Sequence, residues 1–186
     1  MENQVKYGKE ARQGLLRGID KLADAVVSTL GPNGRNVVIF RGHNEAPQST
    51  KDGVTVAKSF LTSDPEEHLG QLLLRQAAMR TADKAGDGTT TSTLLAREMI
   101  KNGLSALDNG ENAVKIKRDI DKTVNLVISN LSNSIAEDIS GENQLEQIAT
   151  ISSNNDEETG KLIAKAIEKV GLEGVVHIEE SKTGDT

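Results

Sequence analysis

The sequence predicts a mainly α-helical protein with one small β-hairpin. Apolar residues recur at spacings of three and four through several long segments, which is the pattern of amphipathic helices. Short β-branched runs are few and lie between helical segments. Aromatic residues make up only 2% of the 186 residues, so we expect a core built from Leu, Ile, Val and Ala.

The first segments predict a helix followed by short strands. A helical pattern runs through residues 8–30 and stops at Gly31-Pro32, a strong breaker pair. Residues 36–40 contain three consecutive β-branched residues and predict a strand, and a loop follows to Gln48. We expect residues 49–59 to form two short strand pieces around a turn at Lys51-Asp52-Gly53.

Two further helices are predicted in the middle of the chain. Asp64 can cap a helix over residues 64–84, because Pro65 suits the first helical position and the acids that follow suit the helix dipole. After Gly86-Asp87-Gly88, another helix begins within Thr89-Thr90-Thr91. We expect it to end before Gly103, a glycine cap, with its side chains Leu94, Leu95 and Met99 facing inward.

The last third of the chain predicts three helices and a strand. The helices span residues 112–134, 142–150 and 156–170, and residues 174–180 alternate like a strand. Composition changes little, and the polar run over residues 132–143 is the best candidate for a domain boundary.

Composition and charge exclude several classes of protein. The net charge of −6 and the scarcity of aromatic residues argue against a nucleic-acid binder. No cysteine is present, which excludes disulfides and thiol nucleophiles and is consistent with a reducing cytoplasm. No stretch has the length of apolar residues that a membrane helix needs. The histidines have no metal-ligand spacing; they are His43, His68 and His177.

The segment from Gly86 to Thr91 carries the clearest chemistry. Its two glycines allow backbone to approach a ligand closely, and three threonines offer hydroxyls and free N–H groups at a helix start. That combination suits phosphate. Asp87 lies beside the cradle, and Mg²⁺ typically takes one or two carboxylates together with phosphate oxygens. The same residues could equally form only a capped helix start after a glycine turn.

Two other segments have weaker signals. Thr29-Leu30-Gly31-Pro32 is a helix end and turn that could lie against a nucleotide, or be no more than a turn. In the segment Thr50-Lys51-Asp52-Gly53, Lys51 could pair with phosphate and Asp52 could position a water or an ion. Alone, this segment is also an ordinary Lys-Asp-Gly hairpin. Neither a Walker-type loop nor a G-x-G-x-x-G motif is present.

Together, these segments resemble motifs of the group I (GroEL-like) chaperonins in their order, their spacing and their residues. The similar strings are Thr29-Leu-Gly-Pro-Asn-Gly-Arg-Asn-Val-Val38, Thr50-Lys-Asp-Gly-Val54 and Ala85-Gly-Asp-Gly-Thr-Thr-Thr91. Further along the chain, Thr150-Ile-Ser152 and Lys169-Val-Gly-Leu-Glu-Gly-Val175 extend the resemblance to essentially the whole sequence.

The resemblance implies a fold and a function. Residues 1–134 would be the N-terminal segment of a helical equatorial domain, and residues 135–186 the first segment of an α/β intermediate domain. The family folds client proteins in the cytoplasm inside stacked rings, generally seven-membered and closed by a co-chaperonin lid. The rings are driven by ATP with Mg²⁺ and K⁺.

The resemblance also assigns roles to residues. Thr29, Leu30, Gly31 and Pro32 would line the nucleotide. Lys51 and Asp52 would lie near the phosphates, with Asp52 in a catalytic role. Asp87 would hold Mg²⁺. The remaining nucleotide contacts would come from Gly88, Thr89, Thr90, Thr91 and Ser152.

The departures from the family pattern leave alternatives open. The apical domain, which binds clients and the lid, is absent from this sequence, as are the returning segments of the other two domains. Asn33 stands where the family commonly has Lys. The leading hypothesis is a chaperonin ATPase subunit of which this is a part. The alternative is a naturally short protein that co-assembles with full-length chaperonin without its own ATPase. A small kinase would need acceptor-binding residues, and no candidate set is evident.

Overall fold

The computed structural model describes residues 5–43, 45–139, 141–171 and 174–177. Its described elements are mostly helices, with one two-stranded sheet, so the predicted fold class is confirmed. In chain order they are α1 (Gly8–Val27), β1 (Val37–Ile39), β2 (Gln48–Thr50), α2 (Gly53–Ser59), α3 (Pro65–Ala85), α4 (Thr89–Asp108), α5 (Ala113–Asn130), a π-helical turn (Leu131–Ile135), α6 (Glu142–Ser152) and α7 (Glu157–Val170).

The chain divides into two compact units, Met1–Val127 and Ile128–Thr186. In the first unit, α1 packs against α2, α3 and α4. The core is aliphatic, as the sequence predicts. It consists of Ile19, Leu22, Ala23, Val26, Val56, Ala57, Leu74 and Ala78.

The second unit is built around α6 and α7, which pack against each other. Ala149 is its buried apolar residue among those described. Gly160 on α7 approaches α6 closely, because a Cβ at this position would lie 2.7 Å from the Thr150 Cα. Asp156 caps α7 by accepting hydrogen bonds from the N–H groups of Glu158 and Thr159.

The small sheet is an antiparallel hairpin, with Val37 opposite Thr50 and Ile39 opposite Gln48. Of the two strand pieces predicted around Lys51-Asp52-Gly53, the first is confirmed as the end of β2, and the second is wrong. The chain turns between β1 and β2 instead, and the residues after Asp52 form helix α2. The β-branched residues there favour a strand only weakly, and capping by Asp52 together with burial of Val56 and Ala57 outweighs that preference.

Two predictions about α4 are also wrong. The helix does not end before Gly103; it runs on to Asp108, where Asn109 and Gly110 end it. Gly103 is an interior residue of α4 that faces Ile116 and Ile120 of α5. A Cβ added at Gly103 would lie 3.7 Å from the Ile116 side chain and 3.8 Å from the Ile120 side chain, which are ordinary contact distances. Local glycine signals do not distinguish a helix end from a packing position.

The second wrong prediction concerns the side chains of α4. Leu95 and Met99, expected to face inward, are 54% and 40% exposed. They line an open apolar groove together with Ile116 and Ile120 of α5.

The predicted final strand lies partly outside the described residues. Residues 174–177 are described and form no strand, and residues 178–180 fall outside the described part. Among the described residues here, the Gly174 N–H donates to the Gly171 carbonyl over 2.9 Å.

Candidate nucleotide-binding site

Three segments far apart in sequence meet within the first unit. The Thr29 and Thr90 hydroxyl oxygens lie 3.3 Å apart, which joins the end of α1 to the start of α4. Gly53, at the start of α2, faces the same place. A Cβ at Gly53 would overlap the Thr90 hydroxyl and lie 3.2 Å from that of Thr89. The three motifs that the sequence predicts as nucleotide-binding therefore lie next to one another in the fold.

The end of α1 forms a closed turn beside this site. Thr29 is buried, and its hydroxyl donates to the Val26 carbonyl over 2.7 Å. Gly31 adopts a positive φ of 72°, and its carbonyl accepts from the Gly34 N–H over 2.9 Å. Gly34 packs so closely on Thr29 that a Cβ there would overlap the Thr29 carbonyl. Leu30 and Pro32 keep exposed side chains that a ligand could contact.

The start of α4 has the geometry of an anion cradle. Gly86 and Gly88 both have positive φ, 74° and 81°, which glycine tolerates best. Gly88 is the N-cap, and no side chain caps this helix. Within the described residues, the N–H groups of Thr89, Thr90 and Thr91 donate no hydrogen bond, so they are available to an anion. The helix dipole adds positive potential at the same place.

Asp87 fits the role of a magnesium ligand. It is exposed, and its Oδ1 accepts the Gly88 N–H over 2.6 Å, which leaves the other oxygen for a cation. No group of three or more His, Asp or Glu side chains arranged to hold a metal occurs among the described residues. A cation at Asp87 would therefore take most of its ligands from phosphate and water, as Mg²⁺ does.

Asp52 is the N-cap of α2. Its Oδ1 accepts from the Val54 N–H over 3.2 Å, and its Oδ2 accepts from the N–H of Thr55 over 2.8 Å and from the Thr55 hydroxyl. Burial by itself would raise the pKa of the Asp52 carboxyl. The hydrogen bonds from Thr55 and Val54 and the charge of Lys58 outweigh burial and hold the pKa below its ordinary value. The group is therefore ionised at neutral pH.

The other predicted residues are placed as follows. Lys51 is exposed, and no ion pair to it occurs within the described part of the chain. Ser152 is the last residue of α6, exposed and in the second unit, so its predicted nucleotide contact stays a prediction.

Sequence reasoning missed three residues that support the site. Gly53 was predicted only as a turn residue, yet it allows α2 to approach the α4 threonines. Thr55 donates to Asp52 from one turn along the helix, a spacing typical of capping. Thr93 is fully buried and donates to the Thr89 carbonyl over 2.8 Å. Spacing alone could have suggested Thr55, but not the burial of Thr93.

Comparison with solved structures identifies the class of this fold. The chain is similar to the chaperonin gp146 from the bacteriophage EL 2 (Pseudomonas aeruginosa), crystallised in the presence of ATP-BeFx. In crystal form II the TM-score is 0.70 at 34% identity, over 86% of this chain. In form I the TM-score is 0.71 at 32% identity, over 88%. A group III chaperonin in the open state has the same fold at 21% identity and a TM-score of 0.70, over 86%. The described helices and hairpin thus have the fold of a chaperonin equatorial domain.

A comparison with protein families agrees. The sequence model of the TCP-1/cpn60 chaperonin family matches residues 22–185. The chain belongs to the TCP-1/cpn60 chaperonin family. It spans 28% and 29% of the length of the two phage structures and 32% of the group III structure. Among the described residues, no helix has both the length and the apolar character needed to cross a membrane.

Proposed function

We propose that this chain supplies part of the Mg-ATP site of a group I chaperonin subunit, an ATPase that assists the folding of client proteins inside an oligomeric ring. The observation that carries the proposal is the meeting of Thr29, Gly53 and Thr90 at the uncapped start of α4. Family membership supports it, and so does the crystallisation of the phage relative in the presence of ATP-BeFx.

In this proposal, the start of α4 binds the phosphates. Gly88 gives backbone access, and the N–H groups of Thr89, Thr90 and Thr91 donate to phosphate oxygens. The turn from Thr29 to Pro32 lines the nucleotide through the exposed Leu30 and Pro32 side chains. Lys51, one residue before Asp52, neutralises phosphate charge from the α2 side.

Asp87 holds the magnesium ion in this proposal. Mg²⁺ supplies charge neutralisation at the phosphate oxygens when it is bound. The chain's own contribution is the Asp87 carboxylate, whose orientation is fixed by the hydrogen bond that its Oδ1 accepts from the Gly88 N–H. The other oxygen is left for the cation. K⁺ is proposed as a further cation on the strength of the group I resemblance alone.

Asp52 is proposed to position a water or an ion rather than to accept a proton. A general base works best with a pKa near the working pH, and the pKa of Asp52 is shifted the other way. Both of its oxygens already accept hydrogen bonds from α2, which fixes their direction. A carboxylate that remains ionised and fixed suits electrostatic positioning.

The wider features of the proposal rest on the family. They are the division into an equatorial segment, 1–134, and an intermediate segment, 135–186; self-association, in seven-membered rings; a co-chaperonin lid; unfolded clients; and a cytoplasmic location. The short-protein alternative predicts a different behaviour, namely capture of a full-length chaperonin without nucleotide turnover.

A binding titration with the purified chain tests the proposal. We expect a fluorescent ATP analogue to bind in the presence of Mg²⁺. Asp87→Asn should weaken binding of the Mg-nucleotide by roughly tenfold, since a charged ligand to the cation is lost, and should change Mg²⁺-free binding much less. The matched control is Asp83→Asn, because Asp83 is also exposed near the end of α3 and makes no ion pair among the described residues.

Two outcomes would count against the proposal. One is the absence of nucleotide binding by a chain whose circular dichroism shows it to be helical. The other is equal affinity of the Asp87→Asn and Asp83→Asn variants for Mg-nucleotide.

A further inference from the structure

The chain contains three Asn-Gly pairs, and the fold places them in different backbone settings. Asn33-Gly34 lies in the turn after α1, Asn102-Gly103 inside α4, and Asn109-Gly110 at the end of α4. Asn-Gly is the pair most prone to deamidation. The backbone nitrogen of the following residue must reach the side-chain Cγ, and glycine, without a Cβ, hinders that approach least.

Asn102 is held in a conformation that prevents this reaction. Its Nδ2 donates to the Glu98 carbonyl over 2.8 Å, which keeps the amide directed back along the helix. The Gly103 nitrogen belongs to the interior of α4, so it cannot turn toward the Asn102 side chain without opening the helix.

Asn33 has neither a side-chain hydrogen bond nor a helical backbone to restrain it. It is exposed, and its side-chain amide makes no hydrogen bond within the part of the chain that the structure describes. The following nitrogen lies in a turn rather than in a helix, and the Gly34 N–H donates one hydrogen bond, to the Gly31 carbonyl over 2.9 Å. Asn109 is comparable, because it is exposed and the Gly110 N–H makes a similar turn bond of 3.0 Å to the Leu107 carbonyl.

We propose that Asn33 is a site of spontaneous deamidation that changes the charge of the nucleotide site. The Gly34 nitrogen attacks the Asn33 Cγ, the new C–N bond closes a succinimide, and ammonia leaves with the side-chain nitrogen and the Gly34 amide proton. Water then opens the ring at either carbonyl, giving Asp or isoaspartate. No electrons are transferred, and water is the only co-reactant.

The position of Asn33 gives the modification its effect, which rests on the function proposed above. The turn of residues 31–34 follows Thr29, whose hydroxyl lies 3.3 Å from that of Thr90 at the phosphate cradle. A new carboxylate here repels phosphate. An isoaspartate also adds a methylene to the backbone just before Gly34, which packs against the Thr29 carbonyl with no room for a Cβ.

Peptide mapping of the aged wild-type chain tests the modification directly. The folded chain is incubated at mildly alkaline pH beside a urea-unfolded sample, then digested with trypsin. The peptide 22–35 contains Asn33 as its only Asn, and fragment ions separate Asn102 from Asn109 within the peptide 102–115. We expect Asn33 and Asn109 to convert in the folded chain, and Asn102 to convert only when the chain is unfolded.

Either of two results would overturn this inference. The first is an Asn33 that stays intact in the folded chain while it converts in the unfolded sample. The second is an Asn102 that converts as fast as Asn33 in the folded chain, because the fold would then not control the reaction.

A second measurement tests the consequence for binding. Asn33→Asp should weaken binding of the Mg-nucleotide analogue roughly tenfold, and Asn109→Asp, which adds the same charge at the far end of α4, should leave it unchanged. Equal affinity of the two variants would overturn the charge effect. A wild-type chain that binds no nucleotide would instead count against the proposed function, and the mapping would still decide whether Asn33 deamidates.

Discussion

Gln71 on α3 has no solvent-exposed surface, yet neither atom of its side-chain amide makes a hydrogen bond within the described residues. An unpaired buried amide loses its hydration without compensation, at a cost of about 1–3 kcal/mol. An apolar side chain of similar length would avoid that cost. The apolar periodicity of α3 does not reveal that Gln71 is buried, because Gln is ordinarily an exposed residue.

We therefore expect Gln71→Met to raise the free energy of unfolding by about 1 kcal/mol. Urea titration followed by circular dichroism measures it. Gln76→Met on the same helix is the control, since Gln76 is exposed and its replacement should change stability little. A destabilised Gln71→Met variant would show that the amide has a partner, such as a buried water, that is lost on substitution.

The carboxyl of Asp52 should make the stability of the fold depend on pH. The pKa of its carboxyl is lower in the folded chain than its ordinary value of 3.8, so the folded state favours the ionised form. The contribution of this carboxylate to the stability of the fold is complete at pH values above the ordinary pKa, and it is lost as the pH falls through the lower folded pKa. Asp52→Ala should cost about 1 kcal/mol at neutral pH through loss of the cap, and the difference from wild type should shrink in acid.

Urea titrations at a series of pH values check this expectation. Asp83→Ala serves as the control, because Asp83 is exposed and caps no helix. A difference between Asp52→Ala and wild type that stayed constant into acid would show that the charge of Asp52 contributes nothing to stability.

At the scale of elements, glycines set the distance between α1 and α3. Gly18 on α1 lies against the Glu67 carbonyl, and Gly70 on α3 lies against the Leu15 carbonyl, so that a Cβ at either position would overlap backbone. The close approach brings Glu67 within reach of α1, where its carboxylate accepts from Lys21 Nζ over 2.7 Å. These glycines are fixed by packing rather than by any turn.

Gly18→Ala should destabilise the fold by about 1–3 kcal/mol, because the helices must move apart to admit the methyl group. Gly103→Ala is the matched control in a helix interior, where an added Cβ would meet nothing nearer than 3.7 Å. That control should be neutral or stabilising by up to about 1 kcal/mol. Thermal unfolding of both variants gives the comparison, and equal stability would mean that α1 and α3 are less tightly packed than described.

At the scale of the whole molecule, burial is uneven. All of α5 is described, and none of its residues is buried, although its apolar residues recur at helical spacing. Leu126 and Val127 are 70% and 51% exposed. By contrast, α1 contributes four residues to the aliphatic core. Helices with few buried contacts open more readily than the core.

We expect the amides of α5 to exchange with deuterium well before those of α1 in the purified chain. Hydrogen-exchange mass spectrometry measures the protection of both helices in one sample, so α1 is the internal reference for α5. Equal protection of the two helices would show that α5 is covered in solution, for example by self-association through the apolar groove between α4 and α5.

The sequence by itself determined the features that local interactions control. The capped start of α3, the helical periods and the Gly-Asp-Gly-Thr-Thr-Thr turn all depend on residues close together in the chain, and the sequence predicts each of them. The family was also evident from the sequence, and comparison confirms it at the level of the chaperonins.

Only the tertiary structure decided which segments meet. Contact between Thr29, Gly53 and Thr90, the helical state of residues 53–59, and the exposure of Leu95 and Met99 were not available from local patterns. Each depends on packing between residues far apart in the sequence. The free energy of such packing exceeds the small differences in local propensity, so the same short segment can form a strand or a helix, and the same apolar face can be buried or exposed.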